Sequence, residues 1–378
     1  VCNDGWARGY GWIVMATVIG ERPKVEADAQ AVALPADHPP IHGVKVGLIL
    51  ANLGTPDGTD YWSMRRYLSE FLSDRRVIEV PRWIWQPILQ GVILSTRPQR
   101  KGKDYATIWN NERNEGPLKT VTRSQAEKTA ALLAERYPNV VVDWAMRYGT
   151  PTIESVVKRL AEQGCNRLIL LSLYPQYSAT TTATAADKLF DVLKTLRWQP
   201  ALRVAPPYHD HPAYISAIAE SIRDHLAGLD WEPDLVVMSF HGMPKKYLLK
   251  GDPYHCQCQK TARLVREHLG WPKDRLMVCF QSRFGSDEWL QPYLDETMKA
   301  LPERGVRKIA VISPGFSVDC LETLEEIEGE NREIFLHAGG EKFSYIPCLN
   351  DDPAGIRLIG TLAEEELQGW VPQARPRP

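Results

Sequence analysis

The chain is predicted to be an α/β protein with two similar, doubly wound (Rossmann-like) domains whose parallel sheets face one another across a cleft. Three observations lead there. Short apolar runs at 44–50, 167–172, 235–238 and 308–312, of the kind that buried parallel strands show, alternate with segments of helical periodicity. The runs end alike in pairs: Leu53-Gly54-Thr55-Pro56 matches His241-Gly242-Met243-Pro244, and Leu171-Ser172-Leu173-Tyr174-Pro175 matches Ile312-Ser313-Pro314. The length of 378 residues, 44% of them hydrophobic, suffices for two cores.

The elements follow in order. Residues 1–43 read as an extension and linker: an apolar stretch of eight residues, Trp12 to Ile19, is well short of a membrane span of about 20. Residues 21–43, rich in Pro, Ala, Glu and Asp, carry no periodicity. A first α/β domain spans 44–205, with helices expected at 124–136 and 152–163. Between the paired strands it is longer than its counterpart by 47 residues (118 from Gly54 to Ser172 against 71 from Gly242 to Ser313), and the surplus is placed in an insertion at 81–117, dense in Trp, Arg and Pro. The second domain and a C-terminal tail occupy 206–378, with a helix expected at 213–227. Such alternation predicts βαβ crossovers and a parallel sheet in each half.

Several function classes are disfavoured. A formal net charge of −2 gives no general attraction to nucleic acid. Neither a G-x-G-x-x-G nor a G-x-x-x-x-G-K-[ST] motif occurs, so nucleotide binding is not supported. Seven irregularly spaced cysteines suit a thiol-state intracellular protein. His255-Cys256-Gln257-Cys258 lacks the second ligand pair of a structural zinc site and reads as buried thiols.

The chemistry is expected at strand ends. His241 follows the run 235–238, at the C-terminal tip where open α/β sheets place ligands. A neutral imidazole there serves as a base near pH 7 and as a ligand for borderline metals. The run 308–312 leads into Asp319, Glu322, Glu326, Glu330 and Glu333, which on a regular helix share an arc of about 80°. Like charges at this spacing destabilise a helix by about 0.2–0.5 kcal/mol per pair. Directly after a strand end they read as a path for a cation inward or for protons outward. Leu53, Tyr148, Tyr174, Trp289 and Phe316 punctuate the strand ends and suit a slot for a large planar ring, with Arg147 placed to engage a carboxylate on it.

Six ordered motifs carry a resemblance: Leu53-Gly54-Thr55-Pro56, Tyr174-Pro175-Gln176-Tyr177-Ser178, Phe240-His241-Gly242-Met243-Pro244, Gly251-Asp252-Pro253-Tyr254, Gln281-Ser282-Arg283-Phe284-Gly285 and Asp319-Cys320-Leu321-Glu322-Thr323-Leu324. Together, over roughly 44–350, they resemble the ferrochelatases of bacterial type. The resemblance implies insertion of Fe²⁺ into protoporphyrin IX with release of two protons, the terminal step of haem synthesis, with no cofactor beyond the substrate metal. It implies that His241 and Glu322 are catalytic and that both, with Asp319, Glu326 and Glu330, meet the metal. It places Leu53, Tyr105, Arg147, Tyr148, Trp289 and Phe316 along the porphyrin pocket, and the insertion at 81–117 as a lip over its mouth.

Animal relatives hold an iron–sulfur cluster through one cysteine in the Pro-Gln-Tyr-Ser segment and three near the C-terminus. Here the first position is Ala179 and no cysteine follows Cys348, so no [2Fe–2S] cluster is expected. Cys320 stands where some relatives have histidine. A cytoplasmic location is expected, with the Trp83-Ile84-Trp85 cluster of the lip leaving peripheral contact with the inner membrane face open. Two other readings compete: a sister chelatase for another tetrapyrrole, and a tetrapyrrole or metal carrier, which has no need of a histidine–glutamate pair.

Overall fold

The computed structural model describes residue 37 and residues 43–285 and 287–371. The N-terminal stretch, with its apolar run, otherwise lies outside the described residues. Two four-stranded parallel sheets carry the fold, both within one compact unit, His42–Pro378. The first has β1 (Val46–Gly54), β2 (Val140–Tyr148), β3 (Arg167–Ser172) and β4 (Ala201–Val204) in the order β2-β1-β3-β4. The second has β5 (Leu235–His241), β6 (Leu276–Gln281), β7 (Lys308–Ile312) and β8 (Lys342–Ile346) in the order β6-β5-β7-β8. The two orders are the same, so the repeat read from the run endings is a repeat of topology.

β1, β3, β5 and β7 are apolar almost throughout because helices cover both faces of each sheet. Alternate residues of β1 and β3, such as Leu48, Leu50, Ile169 and Leu171, join Val236, Met238, Phe240 and Ile312 of the second sheet in one shared core. The expected helices are Pro117–Ala134, Ile153–Glu162 and Pro212–Ala227, the first starting seven residues earlier than anticipated. Proline at the first helical position marks the start of Pro117–Ala134 and Pro212–Ala227, where its missing N–H costs nothing.

The insertion forms helix Arg82–Ile88, a π-helical turn Leu89–Ile93 and helix Leu94–Thr107. Pro98 lies inside the last of these and has no N–H for the carbonyl of Leu94 four residues back. That carbonyl is taken instead by the Tyr61 hydroxyl at 2.9 Å and Arg65 Nη1 at 3.1 Å, both on helix Tyr61–Leu72. Trp85 Nε1 donates to the carbonyl of Leu72 at 2.6 Å, and Leu89 and Leu94 are fully buried. The lip is thereby pinned to the helix that follows β1.

The second half reaches back to the first. Gln125 and Ser124 of helix Pro117–Ala134 bond the carbonyl of Asn350 and the carboxylate of Asp351 at 2.7 and 2.5 Å. The end of the C-terminal helix Pro353–Leu367 meets two arginines of the first sheet. Arg203 donates to the carbonyls of Glu366 and Gln368 and lies over the Trp370 ring at 4.3 Å, while Arg167 donates to the Trp370 carbonyl. The Arg203 cation on the terminal carbonyls of the helix complements its dipole. Arg203→Ala is expected to lower unfolding free energy by about 1–3 kcal/mol, the cost of losing charge-assisted bonds. Urea titration with an unchanged slope checks it, and an unchanged midpoint would show that the arginine contributes nothing.

Candidate active site

The C-terminal ends of both sheets open onto a cleft of about 690 Å³. At matched places in the two halves a glycine brings a strand end hard against its neighbour. Gly54 ends β1 at φ +119°, where a Cβ would stand 1.8 Å from the carbonyl oxygen of Tyr148. Gly242 follows β5, and a Cβ there would lie 2.6 Å from the carbonyl oxygen of Gln281. The residues just before these glycines, Leu53 and His241, both line the cleft. The shared Gly-x-Pro wording therefore reports a close backbone approach that only glycine permits.

His241 is the last residue of β5 and is half-buried. Its Nδ1 lies 2.7 Å from the carbonyl oxygen of Gly242. A carbonyl only accepts, so Nδ1 carries the proton, and Nε2 of the neutral ring keeps its lone pair.

The acidic segment is not the regular helix that the spacing predicts. A single α-turn, Leu321–Leu324, opens into a π-helix, Glu326–Asn331, before helix Arg332–His337 resumes. The Glu330 amide donates to the carbonyl of Glu325, five residues back. This wider turn rotates the side chains out of the expected register. Glu322, Glu325, Glu326 and Glu330 line the cleft, and Glu333 does not. The first three are half-buried and Glu330 is exposed, so the carboxylates run from the interior to solvent. Burial raises the pKa of Glu325, with Glu330 adding to the shift. Burial likewise raises that of Glu326, against hydrogen bonds from Ser282 and the nearby His241, while Glu322 reinforces the rise. Glu326 thus feels both His241 and Glu322.

Asp319 is corrected. It precedes the acidic turn, outside the cleft wall, and its carboxylate is fully engaged. Oδ1 accepts from the Tyr345 hydroxyl at 2.6 Å and the amide of Cys348 at 3.2 Å, and Oδ2 accepts from Asn350 Nδ2 at 2.7 Å. Its carboxylate fastens the segment to β8 and the loop that follows.

Arg147 and Tyr148 are corrected too. Neither lines the cleft. Both serve Asp74, at the end of helix Tyr61–Leu72: Arg147 Nη2 at 2.5 Å, the Tyr148 hydroxyl at 2.8 Å and the Thr184 hydroxyl donate to one carboxylate oxygen. Burial pushes the Asp74 pKa up, but these bonds, with the Arg76 amide, outweigh it and bring it below the ordinary value. Tyr148 is wholly buried behind Phe71, which does face the cleft, with ring centroids 5.0 Å apart. The pair supports the wall from behind.

Leu53, Tyr105, Trp289 and Phe316 do line the cleft, Trp289 being 5% exposed and 4.8 Å from the ring of Phe284. Arg97, on the lip, was missed by the sequence reading. It is half-buried, lies 5.6 Å from the centre of the Phe284 ring and has no ion pair among the described residues. Burial, aided by Arg100, lowers its proton affinity. Its helical neighbours gave no sign of this, since the approach to Phe284 joins residues far apart in the chain. In the helix Tyr254–His268, Cys258 is buried, but Cys256 is exposed, so only one of the two thiols behaves as expected. Among the described residues no cluster of three or more His, Cys, Asp or Glu is arranged as a ready-made metal site.

The ferrochelatase family profile matches residues 45–367. The chain belongs to the ferrochelatase family. It is 63% identical over 338 residues to the ferrochelatase of Allorhizobium ampelinum, covering 89% of this chain and 98% of that one. With the ferrochelatase of Agrobacterium fabrum it shares 61% over 339 residues, covering 90% and 98%. Among solved structures the fold is shared with SirB from Bacillus subtilis with Fe³⁺, at a TM-score of 0.50, 15% identity and coverage of 86% of this chain and 98% of that one. It is also shared with DR2241 from Deinococcus radiodurans, a multi-domain protein described as similar to chelatases, at a TM-score of 0.53, 14% identity and coverage of 88% and 57%. The remote likenesses speak for the two-sheet architecture alone.

A raised carboxyl pKa has a defined sign in stability. Glu326 favours the fold while protonated, below its ordinary value of 4.5, and that contribution is lost as pH rises through the raised value. Glu326→Gln is therefore expected to melt higher than the natural chain at pH 7, by on the order of 1–3 °C. The gap should close as the pH is lowered toward 4.5. Calorimetry at several pH values checks this; a lower melting temperature at pH 7 would mean that the Ser282 bonds and His241 outweigh burial.

Proposed function

We propose that His241 and Glu322 are the catalytic pair of this ferrochelatase, working on a porphyrin held in the cleft between the two sheets. The reaction is the family's: Fe²⁺ enters protoporphyrin IX, two protons leave, and protohaem is formed. One observation carries the assignment: His241 and the glutamates Glu322, Glu325, Glu326 and Glu330 line the same cleft, so base and acids face one space.

A porphyrin hides its nitrogen lone pairs in the ring plane. Gripping the ring so that it buckles exposes them, spending binding energy on the geometry of insertion. Leu53, Tyr105, Trp289 and Phe316 supply the apolar grip. Arg97 takes a peripheral carboxylate, the role the sequence reading gave to Arg147. His241 Nε2 accepts a pyrrole proton as the metal enters, and Glu322 assists from the acidic side. Protons then leave through Glu326, Glu325 and Glu330, whose gradient from half-buried to exposed leads to solvent. The raised proton affinities of Glu325 and Glu326 suit this better than a permanent hold on a cation, while their oxygens still offer Fe²⁺ labile ligands.

No further cofactor takes part in this reading, and Ala179, in place of the cysteine of the animal relatives, supports the lack of an iron–sulfur cluster. The lip is read as a peripheral membrane contact on the cytoplasmic face. Trp83 is 79% exposed and Val92 64%, with Ile84 and Ile88 beside them. No helix among the described residues is long and apolar enough to cross a membrane.

The test is anaerobic insertion of Fe²⁺, with Zn²⁺ in parallel, followed by the porphyrin spectrum. His241→Ala is expected to reduce kcat by about 10²–10⁴-fold, the usual worth of a general base. Glu322→Gln should lower kcat far more than porphyrin affinity. Full activity in His241→Ala would remove the proposed base.

Arg97→Ala should do the reverse. It is expected to weaken porphyrin binding about tenfold or more, as loss of a charge-assisted bond does, with kcat little changed. The dimethyl ester of the porphyrin, which has no carboxylate, should bind the natural and variant proteins alike. Equal losses for acid and ester would instead make Arg97 a packing residue.

A further inference from the structure

We propose that Gln281 is a positioning residue for metal insertion, its side-chain amide fixing Glu322 opposite His241. The inference rests on the reading of His241 and Glu322 as the catalytic pair. Gln281 ends β6 and is paired in register with His241 at the end of β5. Its carbonyl accepts from the amide of Gly242 at 2.7 Å, so its backbone braces the turn that carries the histidine.

Its side chain, 3% exposed, points to the other catalytic group. Oε1 accepts from the hydroxyls of Ser239 on β5 at 2.5 Å and of Ser313, just past β7, at 3.3 Å. Nε2 donates to the main-chain carbonyl of Glu322 at 2.7 Å. The orientation of the amide is forced, because a flip would set Oε1 against the Glu322 carbonyl, two acceptors face to face. One residue thus joins two strand ends to the acidic turn.

Ser282 extends the same grip by one residue. It adopts φ +65°, a conformation rare outside glycine. In that conformation its amide donates to Glu326 Oε1 at 2.7 Å and its hydroxyl bonds the other oxygen of the same carboxylate. Strain at a site is a sign that the surroundings require that geometry. Here two consecutive residues hold the acidic turn at Glu322 and Glu326, and β6 is an edge strand with no further strand to serve. The amide is therefore spent on setting the separation of base and acid.

Gln281→Met removes the polar bonds at nearly constant volume. It is expected to lower kcat about tenfold or more, since small misplacements of catalytic groups cost that much, with porphyrin Kd by fluorescence quenching within about twofold. Gln281→Glu tests the donor alone. Its carboxyl keeps the acceptor for Ser239, repels the Glu322 carbonyl when ionised and donates to it when protonated. Its activity should match the natural enzyme or approach it as pH falls, while the Gln281→Met deficit stays constant. The proposal is overturned by Gln281→Met with kcat within twofold of the natural enzyme, by parallel losses in kcat and porphyrin affinity, or by equal deficits in both variants at every pH. Should Gln281→Met fail to fold, the double variant Ser239→Ala/Ser313→Ala, which removes both hydroxyls that orient the amide, decides: reduced kcat with unchanged Kd supports the role and unchanged kcat overturns it. Full activity in both His241→Ala and Glu322→Gln would defeat the underlying assignment, a result distinguishable from any of these.

Discussion

A parallel ladder has to stop, and where it stops its backbone groups need new partners. That constraint organises this molecule. In each sheet the central strand runs on to a glycine that lets it close against the end of its neighbour, Gly54 on Tyr148 and Gly242 on Gln281. The side chain one residue earlier is thereby aimed past the sheet edge into the cleft. Any larger residue at the glycine would push the two strand ends apart and lose the aim of Leu53 or His241. The cleft-facing side chains are thus held by main-chain geometry, which is stiffer than any rotamer preference.

The charged groups divide according to what surrounds them. Asp74 and Asp319 each accept from several donors and fasten one segment to another. Such pairs are costly to break, because removal of one partner strands a buried charge. The glutamates of the acidic turn are held less completely and face the cleft, so their charge remains available to something that enters. Arg147 and Arg97 differ in the same way: one is consumed by Asp74, the other keeps a bare guanidinium against an aromatic ring. Motif matching cannot make this distinction, since both kinds of residue occupy conspicuous positions in the chain.

Much of the architecture was legible. Apolar runs located four of the eight strands among the described residues, and the paired endings disclosed the repeat, because a close backbone approach leaves a glycine in the sequence. His241 at a strand tip was legible for the same reason. The acidic register was not: a helical wheel assumes 3.6 residues per turn, and the π-turn Glu326–Asn331 departs from it, bringing Glu325 in and leaving Glu333 out. Arg147 and Tyr148 misled because strand position fixes which way a backbone runs, not which partner a long side chain finds. Asp74, the partner in question, lies some seventy residues away in sequence, and nothing local connects the two. Gln281 was quoted only as part of a motif, since a glutamine carries no chemical signature until its amide is seen bonded at both ends.

The repeat also explains why the cleft has two unlike walls. Leu53 and His241 occupy equivalent places, as do Tyr148 and Gln281, yet the first half fills them with an apolar side chain and a buried phenol while the second fills them with a base and an amide that grips the acids. A carrier for a flat ring requires only the first kind of wall. The second kind costs stability, in half-buried carboxylates with raised pKa values and a serine at positive φ, and gives nothing to a protein that merely holds its ligand. Its retention is intelligible when protons must leave one face of a ring while a cation replaces them. One fold used twice has thus been divided: the apolar lining of the cleft comes from both halves, while the histidine and the glutamates of the acidic turn come from the second alone.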